Sequence, residues 1–371
     1  MKTQSNIITF AGGEKNLGPY LMFRDYWYHY LSQTSKKNVE FQTVKEDGKP
    51  ISFSEKEDLM NAALRKEIVR VSGVQNFNEL PLEQWVTNPM ISWASFAVVS
   101  AMIDMILPES IIDTIGLYTD VRTIGWGDSA SFEIEPRDLF VVSVHGKSQK
   151  STEVHKQFRG QVTILPVMHE LTVQVSLYKV LAGKESLAAF VAKVVRSMET
   201  AMTLDAYNAF ATAMANLSST ATTGLQISGY SQANLVRLCQ QVTAWSGGAK
   251  AIIVGTQLGL VNVLPDDANY RYTLNDEYMT LGYVRTAFGY DVLALPQVVD
   301  IATPFGTALS NAYIWVLAPT SQKLIKLVLE GSTLSNTDST FQNANLTQNS
   351  TLWKSWGVGV ATNAVAGVIT I

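Results

Sequence analysis

The sequence predicts a mixed α+β fold, and three observations support this prediction. From Val167 to Leu177, apolar residues occupy every second position except that of His169, which is the period of a strand with one buried face. After Gly183, apolar residues recur at steps of three and four as far as Leu217, which is the period of an amphipathic helix. Beyond that helix, further strand patterns appear at 251–254 and again from 353 to 371. Strands and helices therefore occur together, with one long helix near the middle of the chain.

The predicted helix over 184–217 contains no internal proline or glycine. At 1.5 Å per residue it would be on the order of 50 Å long, well above the usual length in a globular domain. We expect it to be a central element against which other parts of the chain pack. Its core face should include Leu187, Val191, Val194 and Met198, which share one side of the helix.

The N-terminal region is rich in aromatic residues, several of them between Tyr20 and Tyr30. We interpret this part as an irregular arm that packs on another surface. A helix is predicted next, because Ser54 and Glu57 have the spacing of a capping box and Gly73 can end it.

Two prolines mark further helix starts, since proline is tolerated in a first turn. They are Pro81 and Pro89, and Pro108 is expected to end the second helix.

Residues 117–166 are predicted to form a long β-hairpin with a polar tip around 145–152. An isolated hairpin of this length is not stable in water. Its apolar side chains therefore need a partner surface, and another subunit is one candidate.

A separate α/β unit is predicted after the long helix, ending near 303–306. Ser231 should cap a helix whose apolar face ends at Trp245, and 251–254 should be a buried strand. Strands are also expected at the positions that follow: 283–284, 291–295, 313–317, 324–329 and 353–371.

Composition excludes several classes of protein. The formal net charge is −4, with acidic and basic residues mixed along the chain, which argues against a protein that grips DNA through a concentrated basic face. Cys239 is the single cysteine, so no disulfide can form within the chain. The apolar runs at 94–107 and 251–264 are shorter than a membrane span, and we expect a soluble intracellular product with no membrane partner.

No catalytic residue, metal site or cofactor is predicted. His145 and His155 lack further donors at metal-ligand spacing, and Gly357-x-Gly359 lacks the third glycine of a dinucleotide motif. Glu133 and Glu135 share a strand face that is best interpreted as solvated.

Four local sequences suggest a family. They are Trp126–Ile134 and Gly160–Pro166, at the opening and the closing of the hairpin, Leu177–Lys184 before the long helix, and Trp356–Thr362 near the C-terminus. Together with the order of the elements, they resemble the tailed-bacteriophage major capsid proteins of the HK97 fold, from about residue 90 to the end.

The resemblance implies an HK97-like organisation. Residues 1–90 would be an N-terminal arm. Residues 91–116 and 167–225 would form the P-domain, which would contain a peripheral β-sheet and the spine helix 184–217. Residues 117–166 would be the E-loop, 226–305 an α/β axial lobe (the A-domain), and 306–371 strands returning through the A- and P-domains.

The resemblance also implies a shell protein that assembles with itself into pentamers and hexamers around double-stranded DNA, which it would touch only non-specifically. Expected partners are a scaffolding protein, a portal and a decoration protein, with assembly in the host bacterial cytoplasm. The E-loop residues expected to contact a neighbouring subunit are Trp126, Phe140, His145, Lys147, Lys150, Lys156, Phe158 and Arg159. The alternatives are an encapsulin-like nanocompartment shell and a soluble α/β enzyme.

Overall fold

A computed structural model of the chain describes residues 18–35, 52–74, 88–115, 119–134, 159–175, 179, 184–215, 224–261, 263, 280–300, 303, 305–318, 323–337, 348–361 and 365–371. The helices in these residues are α1 (Gly18–Ser35), α2 (Phe53–Ser72), α3 (Pro89–Ile115), α4 (Leu187–Ala215), α5 (Gln232–Trp245) and α6 (Gln257–Leu260). The strands are β1 (Thr119–Ile124), β2 (Ala130–Ile134), β3 (Gly160–Ile164), β4 (Val167–Val175), β5 (Gln226–Ser228), β6 (Ile252–Thr256), β7 (Thr286–Ala287), β8 (Tyr290–Leu295), β9 (Tyr313–Leu317), β10 (Ile325–Thr337), β11 (Gln348–Val360) and β12 (Ala366–Thr370).

The strands form three sheets, and the predicted α+β class is confirmed. One sheet has the order β1-β10-β11-β4, a second has the order β5-β12-β9-β6-β8-β7, and β2 pairs with β3. The chain divides into two compact units. The first unit comprises Met1–Thr114, Val167–Glu199 and Glu330–Trp356, and the second comprises Ile115–Pro166, Thr200–Leu329 and Gly357–Ile371.

The aromatic segment near the N-terminus is helical, so the prediction of irregular structure there is wrong. Phe23, Tyr26 and Trp27 are buried on one face of α1. Tyr26 stacks on Phe53 of α2, with ring centroids 5.3 Å apart. The three buried rings have i, i+3, i+4 spacing, which is the helical period. The rings therefore form the contact between two helices.

Helix α2 begins two residues earlier than predicted. Ser52, not Ser54, is its N-cap, and Ser52 and Glu55 form the capping box through each other's backbone N–H groups. Both serines satisfy the sequence pattern, so the pattern alone does not choose between them. The predicted end is confirmed, since Gly73 adopts a left-handed conformation with φ 67°.

Helix α3 starts at Pro89 as predicted, where Asn88 Oδ1 accepts from Met90 N at 3.0 Å. It does not stop at Pro108 but continues to Ile115. Proline removes one backbone hydrogen bond, yet Leu107 and Ile111 on either side of it are fully buried. Their burial holds the helix together across the proline.

Among the described residues, one stretch is long and apolar enough to cross a membrane by length and composition alone. It is Pro89–Ile112 of α3, longer than the apolar run 94–107 suggested. Two-thirds of its most apolar window, 67%, is buried within the protein, as in a core helix.

The predicted long helix is confirmed as the 29-residue α4, which begins at Leu187, three residues later than predicted, and is described as far as Ala215. Asn61 and Ser186 fix its start in the first unit. Asn61 Oδ1 accepts from Ala188 N at 3.0 Å, and Ser186 Oγ accepts from Ala189 N at 3.2 Å. Farther along α4, in the second unit, the ring of Phe210 meets Trp315 edge-on at 5.3 Å.

In the second unit, the six-stranded sheet and α5 enclose one apolar core. The predicted cap Ser231 is confirmed, and the strand predicted at 251–254 is found as β6, which begins one residue later. Trp245 was placed on the apolar face of α5, but its side chain is exposed because it is the last residue of the helix. Residues 283–284 are not a strand, and the short β7 follows them instead.

Candidate assembly surface

The base of the predicted E-loop is a β-hairpin made by β2 and β3. The register runs from Ala130 opposite Ile164 to Ile134 opposite Gly160. The hairpin starts later than predicted, because β1 belongs to the four-stranded sheet instead. Residues 135–158, which include the predicted tip, lie outside the described residues.

Phe132 anchors this hairpin base to the rest of the second unit. Its buried ring packs with Ala130, Ile164 and Val328. Two cations lie over the ring, the Arg122 guanidinium carbon 4.1 Å and the Lys326 Nζ 5.4 Å from its centroid. Cation–π attraction adds to the burial of the ring.

The cations over Phe132 are themselves held in position by one carboxylate. Asp120 accepts from Arg122 Nη2 at 3.3 Å and lies 3.4 Å from Lys326 Nζ. The base of the hairpin is therefore fixed by burial and by charge together.

Two of the eight predicted contact residues lie among the described residues. Trp126 lies in the turn before β2, where Gly127 has φ 79°, and its indole is about half exposed. Arg159 precedes β3 and makes an exposed ion pair with Glu133 at 3.7 Å. Phe140, His145, Lys147, Lys150, Lys156 and Phe158 lie outside the described residues, so their role stays a prediction.

The four side chains expected in the core of the long helix, Leu187, Val191, Val194 and Met198, are all buried. They lie in the part of α4 that belongs to the first unit.

Gly357 and Gly359 serve close packing in the second unit, a role that sequence reasoning missed. A Cβ on Gly357 would lie 2.8 Å from the carbonyl oxygen of Leu165, and one on Gly359 would lie 2.8 Å from Ile164 Cδ1. A larger residue at Gly357 would push away the backbone at Leu165, and one at Gly359 would force the side chain of Ile164 to shift. The G-x-G spacing in a strand was the available signal for such a close approach.

Several large apolar side chains are exposed. Among the described residues of the second unit they are Trp126, Leu165, Trp245, Leu258, Val299, Phe305 and Ile371. In the first unit they include Met90, Trp93, Val167 and Met168. Scattered apolar residues are normal on a surface, but Trp126 and Leu165 flank the hairpin in sequence, where a partner was expected.

The described residues contain no group of three or more His, Cys, Asp or Glu side chains that could hold a metal ion. Cys239 is fully buried in the core of the second unit, and burial raises the pKa of its thiol to about 12. Such a thiol is not a nucleophile at neutral pH.

Comparison with known proteins identifies a family. The model of one family, described as "SPbeta prophage-derived putative capsid protein YonB", matches residues 36–370. No curated protein matches the chain significantly.

Solved structures with a similar fold include the capsid of a native GTA particle, with 13% identity, a TM-score of 0.49 and coverage of 70% of this chain and 89% of that chain. The bacteriophage PhiM1 mature capsid has 13% identity, a TM-score of 0.44 and coverage of 68% and 85% respectively. The capsid of the cyanophage P-SCSP1u has 16% identity, a TM-score of 0.41 and coverage of 68% and 86%. Because the family match extends over nearly the whole chain, this protein belongs to the family of the SPbeta prophage-derived putative capsid protein YonB.

Proposed function

We propose that this chain is the major capsid protein of a tailed bacteriophage and assembles with itself into pentamers and hexamers of an icosahedral shell around double-stranded DNA. The observation that carries the proposal is the capsid family match over residues 36–370. The anchored base formed by β2 and β3 supports this role, because a base fixed to its own subunit could hold the rest of the predicted E-loop against a neighbouring subunit.

The role is structural and without catalysis. A shell protein needs contacts between subunits and a wall that does not adhere strongly to its contents. The net charge of −4 fits such a wall, because tight DNA binding requires a concentrated positive surface. Contact with packaged DNA is then non-specific.

Other partners follow from the same role. A scaffolding protein would guide the curvature of the shell, a portal would occupy one vertex, and a decoration protein would bind the finished surface. Assembly would take place in the cytoplasm of the host bacterium, and the mature protein would reside in the virion. The eight E-loop residues named above would make contacts between subunits.

Deletion of Lys147–Thr152 tests the proposed role of the hairpin tip. In the sequence these residues lie between β2 and β3 and outside the described base, so the isolated subunit should keep its far-ultraviolet circular dichroism spectrum and its melting temperature. Shell closure should fail, leaving open sheets or free capsomers in electron micrographs. Normal closed particles from the deletion variant would overturn the role of the tip.

The contents of purified particles test the proposed cargo. Particles from infected or induced cells should protect double-stranded DNA from added nuclease. Particles that enclose a protein cargo instead would support the encapsulin-like alternative and contradict a virion coat.

A further inference from the structure

The second unit carries a small hairpin between Gln297 and Asn311. Val299 and Thr307 form a bridge, and Ala308 N donates to Val298 O at 2.9 Å. The side chain of Gln297 closes the open end, because its Nε2 donates to Leu309 O at 2.9 Å and its Oε1 accepts from Leu309 N at 3.2 Å. The hairpin is therefore held by both main-chain and side-chain bonds.

The tip of this hairpin presents Phe305 to solvent. Gly306 N donates to Thr303 O at 2.9 Å, and Asp300 N donates to Gly306 O at 3.0 Å. Phe305 has φ 60°, in the left-handed region, and its side chain is fully exposed. Turns that need a positive φ usually place glycine or asparagine there, because a bulky side chain is strained.

A second phenylalanine shows how such strain is usually offset. Phe288 has φ 53° in the two-residue turn between β7 and β8, and its ring packs against the core of the second unit. Burial of the ring stabilises that turn within the subunit. Phe305 gains no such burial, so neither its backbone conformation nor its apolar ring contributes to the stability of the subunit.

We propose that Phe305 inserts into an apolar pocket on a second copy of this chain. The inference rests on the proposed function, since it names one contact of the self-assembly. Val299, also exposed, lies on the same hairpin and would widen the apolar contact.

The small size of the contact points to a copy within an assembly as its partner. One phenylalanine and one valine bury far less than the roughly 1,000 Å² that a specific interface needs. Such a contact cannot hold two free proteins together, but it can add to other contacts that already position a neighbour. A projecting side chain and a receiving pocket are different surfaces, so the contact can repeat head-to-tail around a closed ring.

Two variants test the ring and the strained backbone together. Phe305→Gly removes both, whereas Phe305→Tyr keeps both. Leu258→Ala is the matched control, because Leu258 is a large apolar side chain exposed elsewhere in the same unit. The melting temperature of the unassembled subunit and the particle fraction in sedimentation velocity are measured for each variant and for the wild-type protein.

We expect Phe305→Gly to leave the subunit as stable as the wild type or more so, and to raise the protein concentration required for assembly by about tenfold or more, as loss of one buried aromatic contact predicts. Leu258→Ala should assemble like the wild type, and Phe305→Tyr should fall between the wild type and Phe305→Gly, because it keeps the ring but carries a hydroxyl into an apolar pocket. Equal assembly of Phe305→Gly and the wild type would overturn the inference but leave the proposed function standing. A clearly lower melting temperature for Phe305→Gly would also overturn it, because the ring would then stabilise its own subunit. If the wild type itself stays monomeric with crowding agents and with its scaffolding protein present, the proposed function fails and the inference fails with it.

Discussion

The carboxylate of Asp104 lies 2.8 Å from the Nζ of Lys354, which joins helix α3 to strand β11 in the first unit. The Lys354 side chain is buried, and its Nζ also donates to Gly331 O at 2.7 Å. Thr333 donates to Asp104 from both its N, at 2.9 Å, and its Oγ1, at 2.6 Å. The one acidic residue in the apolar centre of α3 is therefore part of a satisfied polar network that ties the helix to two strands.

Asp104→Ala should lower the free energy of unfolding by ~3–5 kcal/mol, because it leaves the buried Lys354 ammonium without its counter-charge. Chemical denaturation of the unassembled subunit measures this. Asp58→Ala is the control, since Asp58 is exposed on α2 and should change stability by less than about 0.5 kcal/mol. Equal effects of the two variants would show that the network contributes little.

Phe132→Ala should cost ~3–5 kcal/mol, as expected for loss of a buried aromatic side chain. It should also free the hairpin base, which faster hydrogen exchange at β2 and β3 would reveal. Trp126→Ala is the comparison, because Trp126 is half exposed and its loss should affect assembly more than subunit stability. Unchanged exchange at β2 and β3 in Phe132→Ala would contradict the anchoring role.

His29 should make the α1–α2 pair weaker in acid. Burial, with a smaller contribution from nearby Lys56, lowers the pKa of His29 below its ordinary 6.5. The unfolded chain therefore binds a proton more readily than the folded chain. The folded state is therefore stabilised by keeping His29 neutral. This stabilisation is complete above about pH 6.5 and is lost as the pH falls from there through the folded-state pKa. Between about pH 7 and 5, around the ordinary pKa of histidine, His29→Gln should lose less stability than the wild type. Identical pH profiles of the two proteins would refute the role given to His29.

Cys239 should resist thiol reagents while the subunit is folded. Burial blocks access and raises the thiol pKa to about 12, so almost no thiolate exists at neutral pH. Labelling with a disulfide reagent should be negligible in buffer and complete in guanidinium chloride. Rapid labelling of the folded subunit would show that this core opens locally.

Val194→Asp should prevent soluble folding, because the new carboxylate would be buried without a partner on α4. Lys193→Asp, at the neighbouring exposed position, should remain soluble. The soluble yield after expression measures the contrast. A soluble Val194→Asp protein would mean that the buried face of the long helix is assigned wrongly.

The parts of the fold that could be predicted are those with a long, uniform pattern. Helix α4 has no internal proline or glycine over its 29 residues, and β6 begins with a continuous apolar run, so local sequence suffices to predict both. Helix α1 was not predicted, because the number of aromatic residues was considered and their helical spacing was not. Helix α3 continues past Pro108 because tertiary burial outweighs a local breaker, and no local pattern reports that burial.

The candidate site could be predicted less completely. The hairpin was visible because its strands alternate and its tip is polar. Its anchor was not visible, since Phe132, Arg122 and Lys326 come together only when β1, β2 and β10 are in place. Phe305 carries no sequence signal either, because only the backbone angle and the exposure distinguish it from a core phenylalanine.

Sedimentation velocity of the purified wild-type chain, with electron microscopy of any fast fraction, tests the central claim most directly. The chain has a mass of 40.7 kDa. A capsid protein should form particles far larger than this, seen as shells, tubes or capsomer rings. A species that stays monomeric at high concentration, with crowding agents and with its scaffolding protein present, would contradict self-assembly.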